Sequence, residues 1–290
     1  MSTPRRFPGS EPLQGRAVLR SAGEVGRRLL DRAESQHLNG VKPFSKARTS
    51  FRSIDDLAPS WWGLTVLTGG SDRDQMTLAA RIAFETACAR GRVLWLSLSG
   101  EEESPIFRLL TGMASVPARS LFVDRQLTAL QWALLAAALD DLDELPIQIA
   151  DAHGLSLGEV RAACLEAMGA ETLDLVVVDG IHELEGRLLG TLEGLADELD
   201  VPFLAVVSEG QDAGFDAATQ SLPLRRGSLL LHVRREPSAA GVAVSGDPIR
   251  LRLDIARVGE GPKGSGVLSF DPRYRWIEEL GGVQPPGGRS

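Results

Sequence analysis

Residues 67–77, Leu-Thr-Gly-Gly-Ser-Asp-Arg-Asp-Gln-Met-Thr, occupy the place of a phosphate-binding turn without carrying its chemistry. They follow the apolar run Gly63-Leu-Thr-Val-Leu-Thr68, which reads as a strand, and precede residues 78–89, which read as a helix. A strand, a glycine-containing turn and a helix are the setting of G-x-x-x-x-G-K-[ST], whose backbone amides and lysine hold phosphates. Laid over Gly69, Gly70, Ser71, Asp72, Arg73, Asp74, Gln75 and Met76, that pattern meets Asp74 at its second glycine, Gln75 at its lysine and Met76 at its hydroxyl. A lysine supplies charge-assisted hydrogen bonds of about 1.5–3 kcal/mol each, and Gln75 offers a neutral one. A carboxylate at Asp74 held ~4 Å from a phosphate charge repels it by about 4 kcal/mol at an effective dielectric near 20. Met76 has no oxygen for Mg²⁺, a hard cation that takes oxygen ligands.

The surrounding elements alternate between apolar runs and helical stretches. Residues 93–98 and 201–207 read as buried strands, and residues 146–150 as a short one. Residues 173–179, Leu-Asp-Leu-Val-Val-Val-Asp, read as a central strand, apolar on both faces and ending on the carboxylate of Asp179. Helices are expected over 101–113, 128–142 and 184–199, and Ser156 with Glu159 forms a capping box opening a helix to Met168. The chain closes with antiparallel-looking strands at 229–233, 250–256 and 266–270. Strands alternating with helices predict an α/β fold, a mainly parallel sheet covered on both faces.

Composition narrows the function classes. The chain has 290 residues, 43% hydrophobic and 24% charged, enough for a sizeable core in one domain plus extensions. Apolar runs such as 134–139 are far shorter than the ~20 residues of a membrane span, so no membrane is expected. The N-terminal residues show no apolar core after their arginines, hence no visible secretory signal, and a cytoplasmic location is expected. Cys88 and Cys164 both fall in helical stretches and read as reduced, buried thiols. Charge is polarised: residues 1–52 hold 11 Lys/Arg against 4 Asp/Glu, while the remainder holds 20 against 35. An acidic body gives no footprint for DNA. The basic segment carries a helical stripe, Val18, Ala22, Val25 and Leu29, over residues 17–33, weakened by Gly23 and Gly26. It reads as an arm that docks on a protein surface. The expected organisation is an arm over 1–48, a body over 49–280 and a disordered tail over 281–290.

With these pieces in order, the chain resembles the C-terminal, RecA-like motor domain of the DnaB family of replicative helicases. The resemblance rests on 49–57, Thr-Ser-Phe-Arg-Ser-Ile-Asp-Asp-Leu, before the first strand, and on 174–179, similar to a Walker B strand. It continues through 195–206, a helix–strand step, and 255–264, Ile-Ala-Arg-Val-Gly-Glu-Gly-Pro-Lys-Gly, followed by 267–270 and 274–280. It implies a RecA-like P-loop fold, in which Asp179 corresponds to the Mg²⁺-orienting aspartate and His182 to a polar sensor. It also implies which chemistry has gone. The catalytic glutamate corresponds to Ser99, whose hydroxyl is too weak a base, with Glu101, Glu102 and Glu103 following as a solvated first helical turn. The basic pair of the terminal hairpin corresponds to Arg257 and Gly259, so the arginine finger, worth ~10³–10⁵ in rate where it operates, is absent. Residues 208–231 are shorter than the corresponding DNA-facing region.

The resemblance and the degenerate positions Gln75, Ser99 and Gly259 together lead to an inactive helicase-like domain that binds or assembles, in DNA replication, repair or mobile-element maintenance. Its partner would be a second copy or a helicase subunit, reached through the arm, and no cofactor is expected. Two other readings compete. One is an ATP-dependent helicase with an unconventional loop, using ATP and Mg²⁺, with Arg73 replacing the lysine. The other is a nucleotide-sensing module without turnover. His37, His153 and His232 are dispersed without metal-ligand spacing. Trp61 and Trp62 read as packing against the sheet edge.

Overall fold

The computed structural model describes residues 47–58, 63–101, 103–124, 126–169, 171–182, 186–208, 215, 222, 224–236, 247–259 and 261–280. Residues 1–46 of the arm with its helical stripe at 17–33, Trp61, Trp62 and the tail lie outside the described residues.

Nine strands form one sheet in the order β3-β2-β4-β5-β1-β6-β7-β8-β9. The parallel part comprises β1 (Leu64–Gly69), β2 (Val93–Ser97), β3 (Ile147–Asp151), β4 (Leu175–His182), β5 (Phe203–Ser208) and β6 (Leu229–Arg235). The antiparallel extension runs from β6 through β7 (Ile249–Arg257) and β8 (Gly261–Asp271) to β9 (Trp276–Glu279). The expected mainly parallel sheet with closing antiparallel strands is therefore present, with β8 extended well beyond residues 266–270.

Period-2 alternation divides each central strand between two cores, because successive side chains leave a strand on opposite faces. Leu175 and Val177 of β4, with Leu204 and Val206 of β5, enter one core. Val176 and Val178, with Phe203, Ala205 and Val207, enter the other. Helix α2 (Asp72–Cys88) covers the first face through Leu78, Ile82 and Ala83. Helices α6 (Leu157–Met168) and α7 (Gly186–Leu199) cover the second through Val160, Cys164, Leu189 and Leu192. The predicted Ser156–Glu159 capping box opens α6, with both reciprocal bonds made. A short helix α1 (Arg52–Asp55) is held to the far strands by Glu279, which accepts from the Arg52 and Ser53 amides at 2.6 and 2.8 Å. Helices α3 (Glu103–Met113), α4 (Ala118–Phe122) and α5 (Ala129–Asp143) complete the set, and α5 packs on a minor cluster around Leu135 and Ala138. Cys164 is buried as expected, but Cys88 is exposed, because it ends α2 where that helix leaves the core.

Candidate functional site

The main correction falls on the turn after β1. The helix begins at Asp72 rather than Leu78, so Asp72–Met76 form its first turn and only Gly70 and Ser71 connect it to the strand. The amides of Asp74 and Gln75 already donate to Ser71 O at 3.0 and 3.1 Å. The local residues favour this outcome. Acidic side chains suit a helix N-terminus, Arg, Gln and Met are good helix formers, and no glycine after Gly70 keeps an open loop. Gly69 itself is required by crowding: a Cβ there would lie 1.9 Å from Val233 O of β6.

Each side chain in this turn is committed inward. Gln75 is fully buried and its Nε2 donates to Gly69 O at 2.8 Å, folding it back onto the strand. Its Oε1 is buried without a partner. Asp74, 2% exposed, receives the Arg235 fork at 2.8 Å to Oδ2 and 3.1 Å to Oδ1. That bond holds Arg235 above the ordinary guanidinium range, against a smaller opposing effect of burial. The expected repulsion of a phosphate by Asp74 is thus corrected, since Arg235 neutralises it in a bidentate pair. Met76 packs against the core under α2.

Asp179 lies at a bulge in β4 and is wholly buried. Its Oδ2 accepts from Trp95 Nε1 at 2.6 Å, and its Oδ1 accepts from Ser97 Oγ and Ser99 Oγ, each at 3.1 Å. Burial raises its pKa above the usual carboxylate value, with the Trp95, Ser99 and Ser97 bonds pulling the other way. Gly180, at φ +75°, turns the chain where a Cβ would stand 2.5 Å from Ser99 N. The β4 bulge, Ser99 and Asp179 are thereby locked into one unit.

A cavity of about 680 Å³ opens along these elements, lined by Arg73, Gln75, Ser99, Glu101, Arg108 and Asp179 among others. His153 also borders it, its Nδ1–H donating to Leu98 O at 3.0 Å. Glu101 precedes α3 and Glu103 opens it, both exposed, as a solvated helix start requires. His182 ends β4 opposite Ser208, and its side chain lies outside the described ones. Arg257 and Gly259 are not brought to the cavity. Strand register places Arg257 beside Leu229, and Leu229 beside Thr65 at the start of β1, whereas Gly69 at its end pairs with Val233. Arg257 instead donates from Nη1 to Gly227 O at 2.7 Å. His232 is buried in β6, and burial lowers its pKa.

Sequence reasoning missed Trp95, Ser97, Arg235 and Arg108. The first two alternate onto one side of β2 with Asp179's neighbours, which a register could have shown. Arg108 stands inside the apolar run Pro-Ile-Phe-Arg-Leu-Leu, the one local sign of a buried charge. Burial, followed by repulsion from Arg275 and Arg73, lowers it to about 10, with Glu101 and Asp74 opposing. No helix among the described residues is long and apolar enough to cross a membrane, and no group of His, Cys, Asp or Glu among them could hold a metal ion.

Comparison with known proteins agrees with this architecture. Two solved structures share the fold: the ATPase domain of G40P has a TM-score of 0.68 and 14% identity, covering 90% of this chain and 100% of that one. A DnaB-like replicative helicase, described with its interactions with primase, has a TM-score of 0.66 and 14% identity over 88% of this chain and 66% of that one. The fold is RecA-like. The replicative DNA helicase DnaB of Nostoc sp. is 30% identical over 140 residues, 44% of this chain and 16% of that protein. Its counterpart from Geobacillus stearothermophilus is 24% identical over 144 residues, 45% of this chain and 31% of that protein. The chain thus spans less than a third of either relative. Residues 48–208, more than half of the chain, match the model of the DnaB-like helicase C-terminal domain, and the chain belongs to that family.

Proposed function

We propose that this chain keeps the helicase-type fold without its hydrolytic chemistry and acts as a binding or assembly protein, in DNA replication, repair or mobile-element maintenance. The observation that carries this reading is the state of Asp179. Both of its oxygens accept hydrogen bonds from Trp95, Ser97 and Ser99. The side chain at the glutamate position, Ser99, is one of the groups that close the carboxylate off. At the lysine position, Gln75 is drawn to Gly69 O. Asp179, Ser99 and Gln75, at the positions for metal orientation, general-base catalysis and phosphate charge compensation, are therefore committed to partners within the chain.

The partner in this reading is a second copy or a helicase subunit, engaged through the basic segment 1–48. The charge polarity of the chain favours it: a positive arm ahead of an acidic body gains most from another acidic body. Light scattering on the full chain and on residues 49–290, with and without a helicase subunit, tests this directly. Association confined to the full chain supports it, and identical behaviour of the two chains overturns it. The catalytic half is tested by ATP hydrolysis with single-stranded DNA present and absent. Turnover near ~1 s⁻¹, the low end for working enzymes, that disappears in Gln75→Ala would refute inactivity.

A further inference from the structure

Helix α5 is apolar on every side along most of its length, yet only one side of it is covered. Leu135, Ala138 and Leu142 are its buried residues. Leu130 is 69% exposed, Trp132 60%, Leu139 53% and Leu134 42%. At 3.6 residues per turn, the exposed Ala129, Ala133, Ala136 and Ala137 lie on the side away from the buried one, between Leu130 and Leu134 on one flank and Trp132 and Leu139 on the other. A helix hydrophobic all round is normally buried all round, and a continuous exposed apolar face marks an interaction surface. Charge is the second observation. Residues 129–139 carry none, and Asp140, Asp141, Asp143 and Glu144 then follow with no basic residue in the last turn. Four carboxylates at that end oppose the dipole of their own helix, and no cation pairs with them among the described residues.

We propose that this face receives a second copy of the chain, α5 lying antiparallel to α5 about a twofold axis near Ala133. Antiparallel pairing brings each acidic end beside the start of the partner helix, where unsatisfied amides favour negative charge, and sets the uncharged turns against each other. Parallel pairing would set the four carboxylates against their own copies. The alanines let the two backbones approach, and Leu130, Leu134, Trp132 and Leu139 close over the contact from its flanks. One patch serves both sides, as a twofold interface requires. The arginine-rich segment 17–33 fits this face less well, because residues 129–139 offer its guanidiniums no carboxylate. The α5 pair needs none of residues 1–48 and stands apart from the association proposed through the arm.

Sedimentation of the full chain over a range of concentrations tests this. Self-association is expected, weakened about tenfold or more by Trp132→Glu and by Ala133→Glu, whose positions are exposed and whose thermal melts should match the parent. Orientation is read by disulfide trapping in a Cys88→Ser background. Ala129→Cys and Ala137→Cys chains, mixed under mild oxidation, should form the mixed disulfide in preference to either homodisulfide, because antiparallel packing brings the unlike positions within bridging distance. A chain monomeric at every concentration, self-association unchanged in both glutamate variants, or homodisulfides in excess would overturn the proposal. So would dispersal of the α5 pair by a peptide of residues 14–36, which would make the arm the occupant of this face. Binding of a helicase subunit is measured on Trp132→Glu as well. That variant keeps its arm, so the result bears on the arm reading alone.

Discussion

Two buried charges border the same cavity and differ in how they are answered. Asp179 is surrounded by donors: one indole N–H and two hydroxyls, from β2 and from Ser99, two residues beyond it. Arg108 has one neutral hydroxyl acceptor and an orphaned Nε. The carboxylate side is complete within the chain, with both oxygens accepting. The guanidinium side is incomplete among the described residues.

The largest effect should come from dismantling the complete side. Asp179→Ala leaves Trp95, Ser97 and Ser99 without their acceptor, at about 1 kcal/mol or more for each buried donor, so a loss of about 3 kcal/mol or more is expected. Chemical denaturation checks it. A loss under about 1 kcal/mol would mean that water reaches these groups, and that the side is open after all.

Next comes the incomplete side, with the opposite sign. Arg108→Met removes an unpaired buried charge from an apolar helix face, and in anion-free buffer it should stabilise the chain by about 1–4 kcal/mol. The pH dependence sharpens this. With its pKa lowered to about 10, Arg108 in the folded chain releases its proton before the unfolded chain does. The unfolded state then binds more protons above that value, so stability rises as pH climbs from about 10 towards the ordinary guanidinium range, and Arg108→Met should lack that rise. Asp179 runs the other way: its raised pKa means that stability falls as pH increases upward from 3.8, a slope missing in Asp179→Asn. Denaturation midpoints across pH, compared with the parent, report both signs.

The smallest effect belongs to the surface-facing pair. Asp74 is buried but Arg235 is about half exposed, at 47% of its side chain, so solvent screens their attraction. Arg235→Gln should cost about 1 kcal/mol or less, read from the same denaturation curves.

Much of this contrast was visible in the residues. The strand carrying Asp179, which the structure continues to His182, the Ser156–Glu159 capping box and the strand–turn–helix at Gly69 follow from periodicity and local hydrogen-bond chemistry. What remained hidden depends on partners distant along the chain. The need for glycine at position 69 is set by Val233, whose carbonyl crowds it from a strand formed more than a hundred residues later. Arg235 reaches Asp74 across 161 positions, and Trp95 reaches Asp179 across 84. Arg108 could be noticed as a charge in an apolar run, but its missing partner is a property of the assembled cavity.

The contrast between the two sides is tested most directly by measuring ADP affinity of the full chain in EDTA and again in Mg²⁺. The proposed function predicts no gain in ADP affinity from Mg²⁺, because both oxygens of Asp179 already accept from Trp95, Ser97 and Ser99. A gain of about tenfold or more with Mg²⁺ would contradict it, since a cation bridging phosphate and carboxylate would then be at work on the side described here as complete.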